Sequence, residues 1–533
     1  MVEAQKYAAL DPRATMNDIQ RIPLAPRFRD LNDKTICFIE MLVDSGFEEL
    51  MDITAGYLKQ RYPKTEIKRI NKQSLSGDRE SFEKFVRDAD AYVCFTAPAT
   101  SVTADAIGWA SQPLEKNGLP GVCVIYDYLS ETARFAIQRE GAMLRYISVP
   151  FPYSGMASDS MSGILEEIEQ GLTKPLNTDE CKTGVLSYEK PPRICIEGTL
   201  SEVQNYFCGM GFTDGLPIIP PTEESVEEML QGTSHKPDEV VTTKMAPEKM
   251  TVTVENVAIN AVMAGATSQY MPVLLAAAEI LGSNPGFCAT AKSTNSFSYM
   301  QVINGPIRNE LAMNSGIYAL GPGNRANAVI GRALRLFLIN LGGSRIGVNL
   351  MGVQGNTGSY TFAFAENEEN SPWESLAVEK GFKSDESTIS IFSGGWSFLG
   401  NYMSGNLDKL LEAASDFDPI SGLTVLFSPR QAKNLALQGH TKASVKEYIW
   451  KNTALPLGKF KEHYYYSHFV LPDITGDGLS WSKEYLTLPD DAVVPILPYD
   501  QVNVVVVGDP QGTPMMQGWH MSKPNTASID KWR

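Results

Sequence analysis

Between Lys34 and Val149 the chain alternates short apolar runs with amphipathic segments, and this alternation constrains the fold more than any other feature. Thr35–Ile39, Glu66–Ile70, Ala91–Phe95, Gly121–Ile125 and Leu144–Val149 read as strands. Phe47–Arg61, Ser81–Arg87, Thr103–Lys116 and Glu131–Glu140 read as the helices between them. Strands separated by helices at this spacing imply right-handed crossovers and a parallel sheet covered on both faces. The expected fold is therefore α/β: a doubly wound parallel sheet in the N-terminal domain. Ligands of such sheets sit beyond the carboxyl ends of the strands. Here those ends carry the loops Leu42–Gly46, Thr96–Val102 and Tyr126–Leu129. No GxGxxG follows the first strand, so the chain carries no nicotinamide fingerprint.

A chain of 533 residues exceeds what one compact core accommodates. The texture divides it into an N-terminal arm (1–33), the doubly wound domain (34–190), a linker with helices (191–241) and a larger mixed α+β C-terminal domain (242–533). Within the linker, Gly211–Pro221 reads as an extended Pro/Gly strap and Thr222 as the N-cap of a helix over Glu223–Leu230. Beyond it, Thr251–Val257 is expected as a strand and Gln269–Leu281 as a helix. Later elements are a strand at Thr424–Phe427, helices at Pro429–Gln438 and Ala443–Lys451, and a strand at Val502–Val507. Ile391–Trp396 and Val504–Trp519 both run from strand through glycines to tryptophan, which hints at an internal two-fold arrangement.

Charge narrows the partners. A formal net charge of −16 disfavours nucleic acid and anionic membrane surfaces, whose phosphates call for a basic face. The start, MVEAQKYAALDPRATMND, lacks a signal-peptide pattern, and no apolar run approaches the ~20 residues of a spanning helix. The expectation is a soluble, cytoplasmic protein. Seven cysteines at irregular spacing, without CxxC, do not form a disulfide pattern, and Cys37, Cys94 and Cys123 lie in strand-like runs as small hydrophobes. The five histidines show neither HExxH nor a Cys/His grid.

The segment Asn304–Gly343 is where chemistry is most readable. Gly321-Pro322-Gly323-Asn324-Arg325-Ala326-Asn327 precedes a helical segment, Ala328–Ile339, with Arg332 and Arg335 between its apolar positions. A glycine-rich turn opening a helix aims unpaired N–H groups at one point, and nearby guanidinium groups suit a carboxylate or phosphate there. The expected anion seat comprises Asn304, Gly321, Gly323, Asn324, Arg325, Asn327 and Arg332. Asp44 and Ser45, after the first strand, would face the sheet's carboxyl-end cleft. Thr100 and Ser101 would do the same, or cap the following helix. Glu366 and Glu368 follow the strand-like YTFAFA, where alternate residues share a face. Such a pair can bind Mg²⁺ or Ca²⁺, or divide into acid and base when one is desolvated. His520, after Trp519 in a glycine-rich stretch, is the histidine best placed for proton transfer.

Several passages resemble the UGSC-type (seleno)protein family: ADAYVCFTAPATS, LEKNGLPGVCVIYDYL, GFTDGLPIIPPTEESVEEML, NGPIRNELAMNSG, GPGNRANAVIGRALRL, AENEENSPWESL and FSPRQAKNLALQGHTKASVKEYIW. The resemblance implies a doubly wound domain with a selenocysteine or cysteine in a Gly-Ser-Cys loop after a central strand, and thiol or selenol chemistry there. The matching loop in this chain, Thr96–Thr103, holds Thr, Ser, Ala and Pro and no cysteine. Thiol chemistry is therefore not carried over to that loop, and hydroxyls stand in its place.

The reading that follows is a soluble enzyme acting on a small carboxylate- or phosphate-bearing metabolite in an interdomain cleft, of lyase, hydratase or isomerase type. Thr100, Ser101, Glu366, Glu368 and His520 would move protons, with a divalent metal, Mg or Ca, as a candidate cofactor. Assembly into a homo-oligomer fits the apolar strands and the arm. Two rivals stay open: a thiol-dependent oxidoreductase using Cys94, Cys208 or Cys288, and a non-catalytic binding or assembly subunit.

Overall fold

The computed structural model describes residues 5–41, 45–71, 86–96, 106–151, 158–401, 422–462, 466, 482–509, 514–520 and 523–533. The N-terminal strands are β1 (Thr35–Met41), β2 (Glu66–Asn71), β3 (Ala91–Thr96), β4 (Gly121–Tyr126) and β5 (Tyr146–Val149). They form one all-parallel sheet in the order β2-β1-β3-β4-β5. Helices α1 (Ser45–Arg61), α2 (Ser130–Glu140) and α3 (Ser158–Thr173) accompany them, with a short helical stretch over residues 106–116. Phe38, Val93, Phe95 and Val124 pack on one face of the sheet, while Cys37, Ile39, Tyr92, Cys94 and Cys123 form the core on the other. Burial on both faces is why these strands are almost continuously apolar rather than alternating. The doubly wound sheet is thus as expected, with its topological switch point between β1 and β3.

The arm is built into the structure. Lys6–Leu10 pairs antiparallel with Ile194–Thr199, and Ile19–Arg21 with Gly184–Leu186. Arg27 forks onto Glu115 at 2.9 and 3.0 Å, with both side chains fully buried. The same carboxylate accepts the Ala25 and Gly121 N–H groups at 2.7 and 2.9 Å, so its charge is saturated with donors.

Past the arm's partner strand come α4 (Leu200–Gly209), which Thr199 and Glu202 start with a capping box, and α5 (Glu223–Leu230), which Thr222 caps as expected. Three core helices follow: α6 (Val254–Ala264), α7 (Met271–Ser283) and α8 (Arg325–Leu336). The strand expected over Thr251–Val257 ends at Thr253, and α6 begins there. Thr253 and Asn256 form a reciprocal cap, so a local side-chain bond overrides the β-branched run.

The C-terminal strands are β6 (Ser298–Asn304), β7 (Ala363–Ala365), β8 (Thr388–Asn401), β9 (Leu423–Phe427), β10 (Val502–Val506), β11 (Pro514–His520) and β12 (Asn525–Ser528). They make a mixed sheet ordered β7-β6-β8-β11-β9-β10, with β12 beside β8. Tyr299, Ile303, Ile389 and Ile391 face the core helices, whereas Met300, Val302, Phe392 and Val505 face the opposite core. The two glycine–tryptophan passages meet here: Gly395 pairs with Trp519 and Trp396 with Gly518 across the β8–β11 ladder. They are neighbouring strands of one sheet. Among the described residues no single helix is long and apolar enough to cross a membrane.

Candidate functional site

The glycine-rich turn before α8 is built differently from the expected anion seat. Asn324 caps the helix by accepting the Asn327 N–H at 3.0 Å, so a side-chain oxygen already occupies that end. The buried Asn327 side chain ties the preceding loop down, accepting the Asn314 N–H and donating to the Asn314 and Ala319 carbonyls. Arg325 is exposed and donates to the Gly265 carbonyl at 3.0 Å. Arg332 forks onto Asp214 at 2.9 and 3.0 Å and also reaches the Pro217 carbonyl at 2.8 Å. Gly323 takes a left-handed φ of 125°, and a Cβ on Gly321 would meet the Tyr318 ring at 2.4 Å. The turn is thus shaped by capping and close packing, and its arginines are engaged elsewhere.

Asn304 lies apart from that turn, at the end of β6. Its amide donates to Glu366 at 2.6 Å and Glu368 at 2.8 Å. Glu366 also accepts the Leu376 N–H at 2.7 Å, and Arg308 bridges Glu368 and Glu369 at 3.0 and 2.9 Å. Burial pushes the Glu366 carboxyl above its ordinary range, against the opposing pull of Lys442, the Leu376 N–H and Asn304. The two carboxylates do converge, but through a turn after β7 rather than by strand alternation. Among the described residues no group of three or more His, Cys, Asp or Glu side chains is placed to hold a metal ion. Of the expected Mg or Ca pair, Glu368 is paired with Arg308, and both carboxylates accept the Asn304 amide.

Asp44, Thr100 and Ser101 lie outside the described residues, Ser45 opens α1 and His520 closes β11 opposite Gly394. Among the described residues at this end of the sheet, Tyr126 stacks on Phe47 with ring centroids 4.3 Å apart, and Phe151 meets it edge-on at 5.1 Å.

Among the described residues, Arg335, one turn beyond Arg332, is a largely buried side chain without a counter-ion. It makes no hydrogen bond or ion pair with any described residue, and it lines a cavity of about 1250 Å³. Burial lowers its pKa from the ordinary arginine value, while the fields of Tyr299 and Asp214 oppose that shift. Several parts of the chain besides α8 line the cavity. The arm supplies Arg13 and Met16, the end of α4 and the start of the strap Gly209–Gly215, α2 its Phe135, and a glycine-punctuated segment most of Gly343–Tyr360. Thr132 of α2 donates to the Val348 carbonyl and Arg139 to that of Glu248, so the doubly wound unit is fastened to the wall.

The wall's other interior charges are compensated. Arg13 forks onto Asp11 at 2.9 and 2.7 Å and lies over the Phe212 ring. Glu248 accepts the Asn349 amide at 2.6 Å and pairs with Lys292 at 3.0 Å and Arg139 at 3.5 Å. Tyr299 shares a hydrogen bond of 3.1 Å with Thr290, and burial raises its hydroxyl's pKa. The buried Tyr188 hydroxyl and Ser344 hydroxyl, both on the lining, have no partner among the described residues. Sequence reasoning noted both arginines of the helix but placed Arg332, and not Arg335, in the anion seat. The available signal was positional: Gly331 at i−4 and Leu338 at i+3 put Arg335 on the inward side of α8.

The chain's first third has a recognisable relative. A family model described as the UGSC family matches residues 8–177. That region is similar to the UGSC family. The match covers the arm and the doubly wound sheet, in accord with the resemblance carried by ADAYVCFTAPATS and LEKNGLPGVCVIYDYL, and stops before the strap and the cavity's C-terminal wall. No curated protein and no solved structure matches the chain.

Proposed function

We propose that this chain is an enzyme of lyase, hydratase or isomerase type that admits an organic anion, bearing a carboxylate or phosphate, to the cavity beside α8. One observation carries the reading: Arg335 presents an uncompensated guanidinium to the cavity. A partly buried cation without a counter-ion is costly, and an anionic occupant would offset that cost with a charge-assisted, two-pronged bond. The Glu248 carboxylate and the Tyr299 and Tyr188 hydroxyls are wall groups able to exchange protons with an occupant. No cysteine lines the cavity and no nicotinamide fingerprint precedes it, which supports chemistry without a thiol or hydride step. A formal charge of −16 fits a small anion in a local basic pocket better than nucleic acid.

The test is thermal stabilisation of the full chain by a panel of organic carboxylates and phosphates. Arg335→Gln is expected to abolish the stabilisation, and Arg325→Ala, on the exposed turn, to preserve it. Equal stabilisation of wild type and Arg335→Gln would overturn the proposal.

A further inference from the structure

The size and lining of the cavity say more about the occupant than its sign of charge. This step rests on the anion reading above and asks what the rest of the ligand is. A volume of about 1250 Å³ exceeds the roughly 300–1,000 Å³ of ordinary ligand pockets, far beyond the needs of a small polar acid.

Its lining is largely apolar, with Met16, Phe135, Phe212, Phe297, Leu334 and Leu338 among the walls. The opening is apolar too. Ile346 and Val353 line the cavity and are also 83% and 81% exposed, so they stand at its mouth, joined by Met210 and Tyr360 at 50% and 52%. Large apolar side chains held in water at the rim of a cavity are a mark of ligand entry when they cluster.

The charges facing the cavity set the head group. Arg13 is neutralised by Asp11, Asp214 by Arg332, and Glu248 by Lys292 and Arg139. Glu189 and Arg345 are exposed at the rim. Arg335 is left as the one uncompensated interior cation among the described lining residues, matched to a single negative charge. A dianionic phosphate would leave one charge unpaired in an apolar surround.

We infer that the cavity's ligand is a monocarboxylate on an extended apolar body, its head on Arg335 and its chain along the Phe212–Leu338 walls toward Ile346 and Val353. A straight-chain or an aryl acid meets that description equally.

The experiment is calorimetric titration of the full chain with acetate, butanoate, octanoate and decanoate, with decanol as the uncharged control and glycerol phosphate as the polar dianion. Each methylene buried in such walls should tighten binding about fourfold. Arg335→Gln should weaken every acid at least about tenfold, the loss of one charge-assisted bond, without altering that slope. The double variant Ile346→Ser/Val353→Ser, on exposed positions that the fold does not need, should weaken decanoate and leave butanoate unchanged. Affinity independent of chain length, but still dependent on Arg335, would overturn this inference and leave the anion reading standing. Decanol binding as tightly as decanoate would overturn the carboxylate head. Failure of every acid and of glycerol phosphate would overturn both readings together.

Discussion

Arg332 and Asp214 form a forked ion pair, Nε to Oδ2 at 2.9 Å and Nη2 to Oδ1 at 3.0 Å, and this fork leaves Arg335 alone one turn further along α8. The strap carrying Asp214 is thereby locked to the helix, with Pro217 accepting a third bond at 2.8 Å. One guanidinium becomes structural and its neighbour stays available.

That division predicts opposite signatures for the two arginines. Asp214, with a side chain only 2% exposed, would lose its partner in Arg332→Ala. Breaking such a pair costs about 3 kcal/mol or more, read as a lower midpoint in urea. Arg335→Gln should leave that midpoint unchanged or raise it while removing anion binding. A fall in stability for Arg335→Gln as large as for Arg332→Ala would contradict the assignment.

The arm's anchor makes a second prediction. Glu115 is fully buried among Arg27 and the Ala25 and Gly121 N–H groups. Glu115→Ala leaves a buried guanidinium without its counter-ion and two amides unsatisfied, and should cost about 3–5 kcal/mol. The arm should then become open to limited proteolysis near residue 27, which digestion followed by mass mapping would show.

Packing at Gly331 makes a third. A Cβ there would stand 2.3 Å from the Thr361 hydroxyl oxygen and 2.7 Å from the Phe362 nitrogen, and the latter is backbone and cannot step aside. Gly331→Ala should therefore destabilise by roughly 1–3 kcal/mol despite alanine's better helix propensity. A stabilised variant would show that α8 sits farther from the strand than described.

Glu366 gives a pH prediction whose sign is fixed by burial. Its folded pKa lies above the ordinary carboxylate value of 4.5, so the folded state holds the proton more tightly than the unfolded chain. Its contribution is fully present below the unfolded value and is lost as pH rises through the folded one. The stability of Glu366→Gln relative to wild type should therefore climb from pH 4.5 toward neutrality. Parallel urea midpoints across that range would count against the raised pKa.

The thiols make a fifth prediction, aimed at the oxidoreductase reading. Cys181 and Cys208 are exposed, whereas Cys37, Cys94 and Cys123 are buried. Alkylation of the native chain should label the first two quickly and the last three only on unfolding. Rapid labelling of Cys94 in the native protein would revive thiol chemistry at the UGSC-type sheet.

The β2-β1-β3-β4-β5 sheet was legible from residue order because strand and helix periods are local properties, set by which side chains recur every two or every 3.6 positions. The Thr222 cap was legible for the same reason, since donor and acceptor lie three residues apart. The Thr253 cap defeated the period, because one short side-chain bond outweighed a β-branched run.

The proposed anion seat was half legible. Residue order placed basic side chains on α8, but charge availability depends on distant partners. Asp214 lies 118 positions before Arg332, and the Asn304 amide reaches Glu366 across 62. Sequence by itself therefore determined the elements and the presence of a basic helix. Tertiary structure alone decided which guanidinium is neutralised and which faces the cavity, because Coulomb energy follows distance in space and not separation along the chain.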